Sequence, residues 1–178
     1  MAERRGRRKL EGEALIEYAV RALGARAHSA GELREKLLRR AARCEEVESV
    51  IRRLREQGWL DDRRLAESYA AWRLENEGVG KLRVLDDLRK RRVAPKLAER
   101  AVEQAYQEVD ETRLIEEYLR RKYRKRSLEA VLAEPKGVAS VYRRLRGAGF
   151  RAAQVLAVLR RAARDPDLLD HLEGAEED

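Results

Sequence analysis

An apolar helical spacing returns along this chain at intervals near fifty residues, and that repetition limits what the chain can fold into. Leu15, Ala19 and Ala22 stand at i, i+4 and i+7, one face of a helix. The spacing recurs at Leu65, Tyr69 and Trp72, then at Leu114, Tyr118 and Arg121, after intervals of 50 and 49 residues. A second helix follows each of these, marked by the pairs Leu33/Leu37, Val84/Leu88 and Val141/Leu145 at intervals of 51 and 57. The longer interval puts an insertion in the third unit, at 127–137, with Pro135-Lys136-Gly137 inside it. Third helices follow at Val47/Val50/Ile51/Leu54, Leu97/Ala101/Val102/Ala105 and Val155/Val158/Leu159. Leu, Ala, Arg and Glu dominate, all strong helix formers, and strand-like alternation is missing. The expected fold is therefore all-α: three tandem three-helix repeats at 13–60, 61–109 and 110–164. A basic N-terminal tail, 1–12, and an acidic C-terminal tail, 165–178, flank them. A unit this small buries too little surface to be very stable alone, so neighbouring units are expected to pack in an elongated array.

The punctuation agrees with this division. Ser29 and Glu32 have the spacing of a capping box, in which each satisfies a free N–H at a helix start. Gly58 suits the left-handed residue that ends a helix, with Asp61 or Asp62 to cap the next. Pro95 fits the first turn of a helix, Asp110 is a further cap, and Gly147 and Gly149 mark the last helix–helix turn. Trp59, Trp72, Phe150 and most tyrosines fall at helix faces or unit joints, which predicts packing rather than a base-stacking platform.

Charge is unevenly placed. The 178 residues carry 41 Lys and Arg against 33 Asp and Glu, a net +8. Residues 165–178 hold seven acids and no Lys or Arg, which leaves 41 cations against 26 acids in residues 1–164, or +15. A body this basic is attracted to a polyanion or an acidic protein groove. The tail is expected to be a solvated end, as short charged termini commonly are; the alternative is that it folds back and competes for the basic surface. Arginine outnumbers lysine 33 to 8, which suits two-pronged recognition of phosphate and carboxylate. Codon bias or heat adaptation would give the same excess, and composition leaves the two open.

The densest basic run is Arg120, Arg121, Lys122, Arg124, Lys125 and Arg126, interrupted only by Tyr123. A run of this length wraps most of a helix, so part of it must face solvent. Arg89, Lys90, Arg91 and Arg92 form a second cluster at a helix end, where favourable interaction with the helix dipole is the alternative explanation. Arg143, Arg144 and Arg146 make a third, weaker group. Phosphate contacts from such groups give binding that depends strongly on salt and little on sequence.

Catalytic chemistry finds little support. His28 and His171 have no partner at metal-ligand spacing, and His28 is expected to set the loop before Ser29. No phosphate-binding Gly-rich loop is present. The single cysteine, Cys44, excludes an intramolecular disulfide and is expected to be a plain structural thiol. The abundant Glu residues alternate with Arg as helix-surface pairs. No enzyme, metal or cofactor is expected. The apolar runs fall far short of the roughly 18–20 residues that span a membrane. Without a signal-like segment or disulfide, a cytoplasmic monomer is the expectation.

The chain resembles the RecX family, bacterial regulators of the RecA recombinase. The resemblance rests on Arg26-Ala-His-Ser-Ala-Gly-Glu-Leu-Arg-Glu-Lys-Leu37 and Val50-Ile-Arg-Arg-Leu-Arg-Glu-Gln-Gly-Trp-Leu-Asp-Asp62. It continues through Ala66-Glu-Ser-Tyr-Ala-Ala-Trp-Arg73 and Gly80-Lys-Leu-Arg-Val-Leu-Asp-Asp-Leu88 to Leu145-Arg-Gly-Ala-Gly-Phe150. Each piece is ordinary amphipathic helix, but the ordered set, over about residues 13–163, is specific. Three places depart from it: Trp59 replaces a usual Tyr, Arg91-Arg92-Val93 stands where a glycine is common, and Gly147-Ala148-Gly149 replaces an Arg-Gly pair. The resemblance implies a curved array of helical repeats that binds in the groove of the RecA–DNA filament. It implies inhibition or modulation of RecA's ATPase, strand-exchange and coprotease activities in recombination, DNA repair and the SOS response. Single- and double-stranded DNA, directly or within the filament, are the implied further partners. A sequence-non-specific helical DNA-binding protein is the rival reading, and a scaffold whose charges serve only solubility is a third.

Overall fold

A computed structural model describes residues 9–163. Most of the basic N-terminal tail and the acidic segment 165–178, with His171, lie outside the described residues. The described chain is all-α, as the periodicity predicts. Its helices are α1 (Gly12–Ala25), α2 (Ala30–Leu38), α3 (Glu45–Glu56), α4 (Asp62–Trp72), α5 (Lys81–Lys90), α6 (Pro95–Ala105), α7 (Glu111–Lys122), α8 (Leu128–Leu132), α9 (Pro135–Gly147) and α10 (Ala152–Ala162). The last turn of α4 widens into a π-helical segment, Arg73–Glu77. The described residues form two compact units, 9–68 with 87–101 and 69–86 with 102–163, so the division falls inside α4, α5 and α6.

In the first unit α1, α2 and α3 pack on one another. They bury Leu15, Ala19, Leu33, Leu37, Val47, Ile51 and Leu54, the positions that the spacing assigns to the helix faces. Each fully buried leucine contributes roughly 1.5–3 kcal/mol relative to its exposed form. The capping box is formed: the Ser29 hydroxyl accepts the Glu32 N–H at 3.0 Å and the Glu32 carboxylate accepts the Ser29 N–H at 2.9 Å. Asp61 accepts the Arg64 N–H at 3.0 Å, while Asp62 accepts the Ala30 N–H at 2.6 Å and so helps to close the start of α2.

In the second unit α10 packs on α7 and α9, and α8 on α9. Ile115, Leu119, Leu132, Leu145, Phe150 and Leu159 are fully buried. The Phe150 and Tyr118 rings meet edge to face at 5.5 Å. The segment 127–137 contains the short helix α8, capped by Ser127, whose hydroxyl accepts the Ala130 N–H at 3.2 Å. Pro135 opens α9 rather than belonging to a loop.

Three helices end in the same way. After α3, the N–H groups of Gly58 and Trp59 donate to the carbonyls of Arg55 and Leu54. After α5, Arg92 and Val93 donate to Arg89 and Leu88, and after α9, Gly149 and Phe150 donate to Arg146 and Leu145. These are Schellman motifs, whose penultimate residue adopts the left-handed conformation. Gly58 and Gly149 have φ of 73° and 88°; Arg92 does the same work at 57° without being glycine.

Three expectations need correction. Trp59 and Trp72 are 57% and 51% exposed and are not core residues, although Phe150 is. In α4 the buried positions are Ala66 and Ala70, one step round the helix from Leu65, Tyr69 and Trp72. Small side chains let a helix backbone approach its neighbours closely, so the alanines take the interior and the bulkier residues its margin. Cys44 is exposed just before α3 rather than packed inside.

Candidate polyanion-binding face

The strongest candidate site is the end of α7 in the second unit. Asp110 starts this helix by accepting the Thr112 and Arg113 N–H groups at 2.9 and 3.3 Å. Leu114, Ile115, Tyr118 and Leu119 fix its buried face. The basic run that follows is thereby sorted into groups with different tasks. Arg120, Arg124, Lys125 and Arg126 are exposed. Arg121, also exposed, donates to the Glu77 carbonyl at 2.8 Å and so closes the π-helical segment. Its guanidinium lies where a Cβ on Gly78 would intrude. The Lys122 ammonium sits 5.5 Å from the Tyr118 ring centroid, and burial pushes the Tyr118 hydroxyl pKa up.

Tyr123 joins the run to the third basic group. The Arg144 guanidinium lies 5.5 Å from the Tyr123 ring centroid, a cation–π contact that holds a further positive charge beside the end of α7. Arg143 donates to Ala139 in its own helix at 3.4 Å, and Arg146 donates to the Phe150 carbonyl at 2.8 Å. Arg146 therefore secures the turn after α9.

A cleft of about 640 Å³ opens beside this run. Leu119, Tyr123, Leu128 and Val158 form its apolar lining, with Arg120, Arg124 and Arg161 as its cations and Glu116 as an acid. Arg161 is a member that sequence reasoning missed. It is more than thirty positions from the run, and only the packing of α10 on α7 brings it there.

The Arg89–Arg92 cluster belongs to the first unit. Arg91 is partly buried, donates to the Ala27 carbonyl at 2.8 Å and lies 3.4 Å from Glu32. Ser29 donates to the Arg91 carbonyl. Arg92 pairs with Glu35 at 2.9 Å. These two arginines bind the end of α5 to the start of α2, and Arg89 and Lys90 are exposed beside them. Burial would raise the Glu32 carboxyl pKa, but hydrogen bonds from Arg26 and the Ser29 N–H, with the charge of Arg91, lower it overall. His28 is buried, its Nδ1 2.8 Å from the Arg26 carbonyl, and desolvation lowers its pKa.

Among the described residues no group of three or more His, Cys, Asp or Glu side chains is placed to hold a metal ion, and no helix is long and apolar enough to cross a membrane. The site offers electrostatic and apolar contacts: a set of cations at the end of α7 and in the turn after it, and a cleft with apolar walls.

The comparisons with known proteins are consistent with one another. Residues 61–102 match the family described as RecX, second three-helix domain. The regulatory protein RecX of Deinococcus radiodurans is 45% identical over 98 residues, which cover 54% of this chain and 45% of that protein. The regulatory protein RecX of Treponema pallidum (strain Nichols) is 35% identical over 130 residues, 71% of this chain and 79% of that protein. By name these relatives are regulatory proteins and not enzymes. A crystal structure of RecX from Lactobacillus salivarius superposes with a TM-score of 0.63 at 17% identity, covering 88% of this chain and 96% of that one. That similarity establishes the shared all-α fold. Across most of its length, then, this chain belongs to the RecX family of regulatory proteins.

Proposed function

We propose that this protein binds the RecA–DNA filament and modulates it, inhibiting its ATPase, strand-exchange and coprotease activities in recombination and DNA repair. Family membership supports this choice of partner. The observation in this chain that carries the reading is the exposed set Arg120, Arg124, Lys125 and Arg126 at the end of α7. Such a set attracts the phosphates and acidic surfaces of a nucleoprotein filament, and does so without reading base sequence. Arg143 and Arg144 extend the field, while Arg89 and Lys90 give the first unit a contact of its own.

The three repeats read from the sequence, 13–60, 61–109 and 110–164, are part of the proposal, and the match of 61–102 to a second three-helix domain supports it. A chain of repeats that spans successive RecA subunits inhibits by holding together subunits whose relative motion accompanies ATP turnover. On this mechanism fragments lacking one repeat lose inhibition steeply.

The test is the ATPase of RecA on single-stranded DNA, titrated with this protein at physiological salt, beside a measurement of protein bound to the bare DNA. Inhibition well below the concentration that coats the DNA is the expected result. Inhibition that appears only on coating favours the second reading, a sequence-non-specific DNA-binding protein, for which the same exposed cations are the supporting observation.

A further inference from the structure

The cleft beside α7 has walls and charges, and its chemistry points to a particular occupant. Its lining is apolar at Leu119, Tyr123, Leu128 and Val158, while Arg120, Arg124 and Arg161 ring it with positive charge. A nucleic-acid backbone satisfies the arginines but leaves the apolar lining wet. The cleft instead fits a segment that carries both leucines and carboxylates.

The chain itself contains one. Residues 165–178 read Asp-Pro-Asp-Leu-Leu-Asp-His-Leu-Glu-Gly-Ala-Glu-Glu-Asp. Leu168, Leu169 and Leu172 fall at i, i+1 and i+4, the spacing of one amphipathic face, with seven acids around them and no Lys or Arg. Position favours this segment over any in solution. α10 ends at Ala162, which itself lines the cleft, and the segment follows three residues later in the chain. At about 3.3–3.6 Å per residue the chain from Ala162 to Leu172 reaches well across a cleft of this size. A tethered segment also acts at an effective concentration in the millimolar range, which makes even a weak fit count.

We propose that residues 165–178 occupy this cleft, with the leucines on its apolar lining and the acids against Arg120, Arg124 and Arg161. An occupied cleft withdraws Arg120 and Arg124, two of the exposed cations at and just after the end of α7, from other partners. Resting on the polyanion-binding reading above, the segment then acts as a built-in competitor that sets a threshold for binding.

The experiment compares the whole chain with a Leu168→Ser/Leu169→Ser/Leu172→Ser variant, which keeps every acid, and with a chain ending at Ala163. Hydrogen exchange at about 50 mM salt reports on the cleft without reference to any partner. Both altered chains are expected to exchange the amides of residues 119–128 at least about threefold faster than the whole chain, since a seated segment suppresses local opening. Unchanged exchange in the leucine variant overturns the proposal, and so does faster exchange in the shortened chain alone, which would assign the effect to charge. Binding of a fluorescein-labelled oligothymidylate is measured in parallel and is expected to tighten about fivefold in both altered chains. Faster exchange with no change in that binding leaves the cleft seat standing and counts against Arg120 and Arg124 as polyanion contacts, so the two ideas fail separately.

Discussion

The clearest single-residue effects concern His28 and Arg92. His28 is buried within the first unit, and its burial, aided by the charges of Arg26 and Lys36, holds the imidazole below the ordinary histidine range against the opposing hydrogen bond to the Arg26 carbonyl. The folded chain therefore keeps it neutral where the unfolded chain, near pH 6.5, begins to take up a proton. Stability is full above that pH and declines as pH falls below it. Glu32, whose folded carboxyl is lowered, contributes in the same sense but at lower pH: its effect is full above about pH 4.5 and is lost only as pH falls below it. Melting temperature measured between pH 7 and 5.5 thus isolates the histidine: it should fall, and His28→Gln should flatten the fall. Arg92 occupies the left-handed position of a Schellman turn at φ 57°, which costs a side chain about 1–2 kcal/mol. Its ion pair with Glu35 is exposed and worth less. Arg92→Ala removes the pair and keeps the strain, whereas Arg92→Gly removes both. Urea denaturation should find the glycine variant more stable than the alanine variant by about 1 kcal/mol.

At the scale of elements, the turn after α9 meets the start of α5 backbone to backbone. The Gly80 N–H donates to the Ala148 carbonyl at 2.9 Å and the Leu82 N–H to the Gly149 carbonyl at 3.1 Å. A Cβ on Gly80 would intrude on Gly149, and one on Gly149 would intrude on Arg83. The Tyr106 hydroxyl donates to the Val79 carbonyl at 2.7 Å just before this contact, and its burial pushes its pKa up to about 12. Gly80→Ala should cost about 1–3 kcal/mol through overpacking, and Gly149→Ala the same with left-handed strain added. Gly147→Ala, at a helical position facing open space, should be neutral or stabilising by up to about 1 kcal/mol in the same thermal melts. Periodicity made the helices legible, because Leu33/Leu37, Val84/Leu88 and Val141/Leu145 must each bury one face, and all six do. It misplaced the face of α4 because size and burial part company there: Ala66 and Ala70 are small but interior. The glycine contact was invisible because a missing Cβ matters only beside a particular neighbour, and that neighbour lies some 70 positions away.

For the whole molecule, composition announces a basic protein, and the fold decides which cations are available. The run at 120–126 was legible as a cluster, but its division was not. All six cations are exposed, but Arg121 is drawn to the Glu77 carbonyl and Lys122 to Tyr118, which sets them apart from Arg120, Arg124, Lys125 and Arg126. Replacing those four with Gln should weaken single-stranded DNA binding and lower the slope of log K against log salt by up to about 3, with the melting temperature nearly unchanged. Arg121→Gln should show the reverse balance, with a lower melting temperature and a smaller change in slope. The glycine contact between Gly80 and Gly149 also has a meaning on the ribosome. At ~5–20 residues per second, the start of α5 is made about 3–13 s before the turn it must meet. Throughout that wait Val79 and Val84, both destined for the interior, are uncovered by the partner that the finished chain provides. That interval exposes the nascent chain to chaperones, and slowing elongation over residues 83–148 lengthens it.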